Sequence, residues 1–153
     1  MRRWFSRLRR ADGAALVETA FVLPIMLLVS VGVLEFGRAY QTWQVVTNAA
    51  REGARVAVLP DYVDDSVRAR VKTYLKNGGL PAAVVDGANT RVLITETTIP
   101  ITVDGATTAS AARIVVEYPF EFMVLQPVAQ LVVNGSMAGA PFTMRMTTIM
   151  RNE

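Results

Sequence analysis

The chain has 153 residues, the length of one modest domain, and 52% of them are hydrophobic. The formal charge of +3 is unevenly distributed, because the first 13 residues contain five arginines and one aspartate, whereas the remainder is nearly neutral. The body of the protein therefore lacks the positive charge expected of a nucleic-acid-binding domain. The chain contains neither cysteine nor histidine, which excludes disulfides, thiolate chemistry and imidazole catalysis and removes the usual zinc ligands.

A long apolar segment follows the basic leader, residues 1–13. No charged residue occurs between Thr19 and Leu34, and Ala14–Leu34 has about the 20 residues that a helix needs to span a bilayer. The arginines before it predict a cytoplasmic N-terminus, with everything after Leu34 outside. A carboxylate, Glu18, lies near the start of the segment, although a charge at the bilayer centre costs roughly 2.5–3.5 kcal/mol. We therefore expect Glu18 to have a partner or a function.

Three interpretations of this N-terminus are open. A secretory signal peptide would be cut at the small residues of Gly37–Ala39, but Glu35 and the length of the apolar run disfavour it. An uncut signal anchor fits the length of the run. A cut between Gly13 and Ala14 would keep the anchor, remove the basic leader and make Glu18 the fifth residue of the mature chain.

The third interpretation agrees with a resemblance to known proteins. The spacing of Gly13 and Glu18 resembles the processing site of type IV prepilins, at which a membrane aspartyl peptidase cuts after the glycine on the cytoplasmic side. The stretches GAALVETAFVLPIMLL, EFGRAY and NAAREGAR are similar to the TadE-like family. Members of this family are minor pilins or pseudopilins of tight-adherence (Tad) pili. The resemblance covers about Gly13–Val58.

The resemblance implies a structural subunit that is inserted in the inner membrane, processed by a prepilin peptidase and incorporated into a pilus. It implies other minor pilins, the major Flp-type pilin, the membrane assembly platform and the assembly ATPase as partners, with the bilayer as environment. Pilus biogenesis, surface adhesion and biofilm formation are the processes that it implies. The alternative is an uncleaved, membrane-anchored binding module outside the cytoplasm.

The spacing of Ala14 and Glu18 also has a chemical reason. Cleavage after Gly13 would create an α-amino group on Ala14, one helical turn before Glu18. The cation and the carboxylate would neutralise each other, within one subunit or between neighbours. Alternatively, Glu18 only extends towards the membrane surface. Pro24 predicts a local kink in the same segment, because proline removes a backbone hydrogen bond; the kink is either passive or a site that deforms on assembly.

The helical period continues beyond the apolar segment. Apolar residues recur at steps of three or four, and Pro60 is expected to end the helix after Leu59. We expect the rest of the chain to cover the stripe formed by Phe36, Tyr40, Trp43, Val46, Ala50, Ala54 and Val58. Small residues at 49–54 would let another element approach this part of the helix closely.

The sequence of the first part of the head predicts a short helix. Asp64, Asp65 or Ser66 is expected to cap it, and Asn77–Gly79 is expected to end it. Asp61 with the two following aspartates also raises the alternative of a metal site, but helix capping and favourable charge at a helix N-terminus explain these acids more simply.

Strand-like segments follow the short helix. β-branched and aromatic residues predict strands at 92–97, 99–103, 113–122 and 142–150. Asp104-Gly105 and Asn134-Gly135 predict turns, and the small residues up to Ala112 are expected in the first connection. Proline predicts edge strands or bulges at Pro100 and Pro119.

The predicted fold is α+β, with a leader at 1–13, a long helix at 14–59 and an extracytoplasmic head at 60–153. The first half of the helix, 14–34, is transmembrane, and its amphipathic second half packs against a small, mainly antiparallel sheet. The sequence has no phosphate-binding loop, nucleophile elbow or zinc-protease motif. We therefore expect no enzymatic activity, no cofactor or metal, and no nucleic acid or small-molecule substrate.

Overall fold

The computed structural model describes residues 2–101, 107–132 and 141–152. The elements, in chain order, are α1 (Arg2–Ala57), α2 (Asp64–Asn77), α3 (Ala82–Val85), β1 (Arg91–Pro100), β2 (Thr108–Phe120), α4 (Leu125–Val132) and β3 (Phe142–Arg151). The three strands form one antiparallel sheet in the order β1-β2-β3. The predicted α+β fold, with a long N-terminal helix and a small sheet, is confirmed.

Helix α1 is continuous from the leader, through Pro24, to Ala57. It ends at Ala57 rather than at Leu59, because the last turn tightens: the Leu59 N–H donates to the carbonyl oxygen of Val56 at 3.3 Å. Asp61 then takes a left-handed conformation with a φ of 59° and turns the chain. None of residues 13–34 of α1 is buried, and all of them except Val31 and Gly32 are exposed. The helix before Val31 is therefore free of the head.

The second half of α1 forms one wall of the core. Val46, Ala49, Ala50 and Ala54 are fully buried against α2 and the sheet. The expected stripe is therefore covered at its far end.

The expectation that the head covers the near end of this stripe is wrong. Phe36, Tyr40 and Trp43 are 64%, 67% and 44% exposed, whereas Glu35 and Thr42 are buried. Steps of three or four residues define a stripe only to within about one position, which corresponds to about 100° around a helix of 3.6 residues per turn. The head packs on the side of the helix that carries Thr42 rather than Trp43.

Helix α2 crosses α1 at its thinnest section. A Cβ atom added at Gly53 would lie 2.6 Å from Cγ2 of Val71, so the close approach expected at the small residues is confirmed. The predicted cap of α2 is wrong, because Val63 occupies the N-cap without a side-chain hydrogen bond. Asp64 and Asp65 instead lie in the first turn, where their charge is favourable near the positive end of the helix dipole.

The sheet is more regular than the sequence predicts. The predicted strand 92–97 and the first two residues of the predicted strand 99–103 belong to the single strand β1, which ends at Pro100; residues 102 and 103 lie outside the described residues. Residues 108–112 belong to β2 rather than to a connection. Small residues do not stop a strand that is paired on both sides. Beyond Glu117, β2 is no longer paired with β1. Pro119 therefore lies where β2 is paired only with β3, and this part of the strand is an edge, as expected for a proline. The turns expected at Asp104-Gly105 and Asn134-Gly135 lie outside the described residues.

Candidate functional site

The residues predicted to act in processing and assembly all lie on the free part of α1. Gly13, Ala14, Glu18 and Pro24 are exposed. Ala14 and Glu18 lie one helical turn apart on the same side of the helix, about 6 Å along its axis. A Cβ added at Gly13 would meet no described atom within 4 Å, so no described side chain from another part of the chain crowds this residue. The structure brings these residues together only through their positions along one helix.

The apolar part of α1 suits a lipid environment. Its most apolar stretch of 18 residues contains no buried residue, and the helix is long and apolar enough to cross a membrane. Two hydroxyl side chains lie between Ala14 and Leu34, and both are satisfied within the helix. The Thr19 hydroxyl donates to the carbonyl oxygen of Ala15, and the Ser30 hydroxyl donates to that of Met26, each at 2.8 Å. No polar side chain of Thr19–Leu34 therefore requires water.

A buried carboxylate marks the end of the apolar segment. The side chain of Glu35, the residue after Leu34, is only 5% exposed. Its Oε1 accepts hydrogen bonds from the N–H groups of Met123 at 2.6 Å and Val124 at 3.0 Å, and its Oε2 accepts one from Leu125 at 3.1 Å. These groups precede or begin α4, so Glu35 supplies the N-terminal cap that α4 lacks in its own sequence. We call this arrangement the Glu35 cap.

The electrostatics of the Glu35 cap favour the ionised carboxylate. Burial raises the pKa of Glu35, but the hydrogen bonds from Leu125, Val124 and Met123 and the positive charge of Arg38 more than offset it. The net pKa lies below the usual range of a glutamate. Glu35 is thus a buried anion that is stabilised by backbone dipoles, with Arg38 at 3.6 Å as an additional partner.

Aromatic side chains surround the Glu35 cap. Phe122 makes edge-to-face contacts with Phe36, at 5.9 Å between ring centroids, and with Phe120, at 5.1 Å. The guanidinium of Arg38 lies 5.3 Å from the centre of the Phe120 ring and donates a hydrogen bond to the carbonyl oxygen of Glu121 at 3.3 Å. Phe36 and Arg38 of α1 therefore fasten the end of β2 beside the apolar segment.

Sequence reasoning missed the role of Glu35. In the sequence, Glu35 stands out only as an obstacle to signal-peptide cleavage and as part of EFGRAY. Its partners lie 88 to 90 residues away and are backbone groups, which leave no side-chain signature. The available signal was a carboxylate directly after an apolar span, because such a costly position requires compensation.

An open cleft of about 800 Å³ lies beside the Glu35 cap, between the α2–α3 connection and the beginning of α4. Arg38 and Glu121 are the charged residues among the described residues that line it. Within the described part of the chain, no three aspartate or glutamate side chains are grouped as they would be to hold a metal ion. Asp61, Asp64 and Asp65 do not form such a group.

Comparison with known proteins gives one match. The family model described as TadE-like protein matches residues 13–55. The matched stretch begins at Gly13 and includes Glu18, Pro24 and Glu35, so the resemblance of this stretch to the TadE-like family is confirmed. No curated protein and no solved structure matches the chain. The match covers most of helix α1, which is long and apolar enough to cross a membrane, and does not extend to the head.

Proposed function

We propose that the protein is a structural subunit of a Tad pilus, a minor pilin or pseudopilin that supports pilus biogenesis, adhesion and biofilm formation. The observation that carries the proposal is the family match, which begins at the glycine before the proposed cut and runs through the outer half of α1. The fold supports it, since an exposed apolar half of α1 continues without a break into an outer half that carries the head.

The proposed anchor is single-pass, in the inner membrane, with residues 14–34 in the bilayer. Five arginines precede this segment, which favours retention of the N-terminus in the cytoplasm. The helix from Glu35 to Ala57 then rises about 33 Å at 1.5 Å per residue. The head is thereby held outside the cytoplasm, in reach of other pilus components.

The proposed assembly chemistry uses Ala14 and Glu18. A prepilin peptidase cuts after Gly13, and the new α-amino group of Ala14 pairs with Glu18 of the same or a neighbouring subunit. Ala14 and Glu18 are exposed in the isolated chain, so both positions are accessible to a neighbouring subunit. The function is structural rather than catalytic, and the proposed partners are the peptidase, other minor and major pilins, the assembly platform and its ATPase.

The test is the restoration of pili in a strain that lacks the chromosomal copy. Glu18→Gln keeps the size of the side chain and removes its charge, and Thr19→Ala is the matched control at the adjacent exposed position. Removal of one partner from a buried ion pair costs about 3–5 kcal/mol, more than a hundredfold in equilibrium at about 1.4 kcal/mol per factor of ten.

We expect the wild type and Thr19→Ala to restore pili, counted by electron microscopy at matched protein levels. Glu18→Gln is expected to be inserted and cut but to leave the cells without pili. Normal piliation with Glu18→Gln would contradict the charge-pairing mechanism. The proposed function would be contradicted if the deletion strain had normal pili. It would also be contradicted if the wild-type protein failed to correct a piliation defect in that strain.

A further inference from the structure

The head carries a second apolar surface next to the anchor. The sequence from Phe122 to Met144 contains no charged residue, a longer uncharged run than the one between Thr19 and Leu34. In the described part of this run, Met123, Val124, Val128 and Phe142 are 71%, 43%, 38% and 57% exposed. We call these four residues the apolar rim.

The Glu35 cap fixes the height of the rim relative to the membrane. Glu35 directly follows Leu34, the last residue of the proposed span, and its carboxylate lies within 3.1 Å of the N–H groups of Met123 and Leu125. Phe142 is held at the same end of the sheet, because it pairs with Phe120, whose ring contacts Phe122. The rim therefore lies where α1 leaves the hydrocarbon.

We propose that the apolar rim is inserted in the interfacial layer of the same leaflet, so that the head contacts lipid at a second place beside α1. The inference rests on the proposed anchoring of residues 14–34 in a bilayer. The rim is continuous with that span and exposes apolar side chains without charges, as interfacial segments do. The exposed aromatic side chains of Tyr40 and Trp43 follow Glu35 within the next three turns of α1, and such side chains favour the headgroup level.

The Glu35 carboxylate lies at the same depth as the apolar rim, and the Glu35 cap lets the rim enter the interfacial layer without exposing this charge to lipid. The carboxylate is buried by the head, and three backbone donors and Arg38 satisfy it. Lipid therefore meets the apolar side chains of the rim instead of the charge. The N–H groups of Met123, Val124 and Leu125 are satisfied by the same contact, so they do not need water either.

The test uses single tryptophans in the full chain, reconstituted at one copy per lipid nanodisc. In a background in which Trp4 and Trp43 are replaced by phenylalanine, Met123→Trp and Phe142→Trp place the probe on the rim. Leu27→Trp is the control within the span, and Val63→Trp, exposed at the far end of α1, is the control away from the membrane. Each fluorescence spectrum is compared between ordinary phosphatidylcholine and phosphatidylcholine brominated near the headgroup end of its acyl chains.

We expect bromine to quench both rim tryptophans and the span control, and to leave the Val63→Trp protein unquenched. Quenching of the span control without quenching at the rim would overturn this inference and leave the proposed anchor intact. Failure to quench the span control would overturn the anchor and this inference together. Blue-shifted emission from the rim without bromine quenching would show a protein cover instead of lipid and would also overturn it.

Discussion

The Glu35 cap is the contact on which the attachment of the head beside the span depends most directly. Its two carboxylate oxygens accept three backbone hydrogen bonds, at 2.6, 3.0 and 3.1 Å, and are almost fully buried. Glu35→Ala removes every acceptor at once and leaves the three N–H donors to pair with water or to stay unpaired.

The expected cost follows from these contacts. Hydrogen bonds to a charged group contribute about 1.5–3 kcal/mol each, whereas loss of an N-terminal cap as a unit costs about 0.5–2 kcal/mol. The three bonds share one carboxylate, whose burial is itself unfavourable, so we expect about 2–3 kcal/mol for Glu35→Ala. Glu35→Gln retains one carbonyl acceptor and is expected to cost about half as much.

Hydrogen exchange measures this cost at the groups concerned. In detergent-solubilised full-length protein, the amides of Met123, Val124 and Leu125 should exchange roughly 30- to 150-fold faster in Glu35→Ala, at about 1.4 kcal/mol per factor of ten. Glu52→Ala is the matched control, because Glu52 lies on the same helix and pairs with Arg70 at 2.6 Å in a more exposed setting. That control should cost no more than about 1 kcal/mol and leave the three amides unchanged.

The same amides should report the ionisation of Glu35. Because the folded-state pKa of Glu35 is lowered, its stabilising contribution is present above the unfolded-state pKa and is lost as the pH falls through the folded-state pKa. Protection should therefore be constant above the ordinary carboxyl range and decline as the pH falls from that range through the lowered folded-state pKa of Glu35. Exchange within about threefold of wild type in Glu35→Ala would refute the assignment of these amides to the carboxylate.

Two further predictions concern packing and topology. Gly53→Ala should destabilise the head by about 1 kcal/mol in chemical unfolding, because a methyl group at 2.6 Å from Val71 costs about 1–3 kcal/mol of overpacking against about 1 kcal/mol of gained helix propensity. Gly37→Ala, with no atom within 4 Å of the added Cβ, is the control and should be neutral or stabilising; equal destabilisation by both would contradict the close packing of α2 on α1. Alkaline phosphatase fused after Glu153 should be active in cells. An inactive fusion, together with fluorescence from a cytoplasmic reporter at the same point, would reverse the proposed orientation.

The elements with strong periodic signals could be predicted from the sequence. The uncharged run before Leu34 and the helical spacing after it defined α1, and the alternation from Phe142 to Met150 defined β3. These patterns repeat over many residues, so one exception does not hide them. The strands β1 and β2 were found with wrong bounds, because small residues such as Ala111 and Ala112 have little intrinsic strand preference and are held by pairing on both sides.

The features that depend on distant contacts could not be predicted. The rotation of the covered stripe away from Phe36 is decided by where the head docks, and the spacing of apolar residues does not contain that information. The cap of α4 comes from Glu35, and its partners are backbone groups about 90 residues later. For the same reason the proposed roles of Gly13, Ala14 and Glu18 rest on a local motif, whereas the contacts of Glu35 and Arg38 required the structure.

The most direct test of the central proposal is the mature N-terminus of the protein in membranes. We expect N-terminal sequencing and intact-mass measurement to find Ala14 first when the chain is expressed with an active prepilin peptidase, and Met1 first when the peptidase is absent. A bulky replacement such as Gly13→Leu should remain uncut and still be inserted. A membrane-bound chain that keeps its leader, in cells that cut a control prepilin, would contradict the proposed pilus subunit and favour an uncleaved, membrane-anchored binding module.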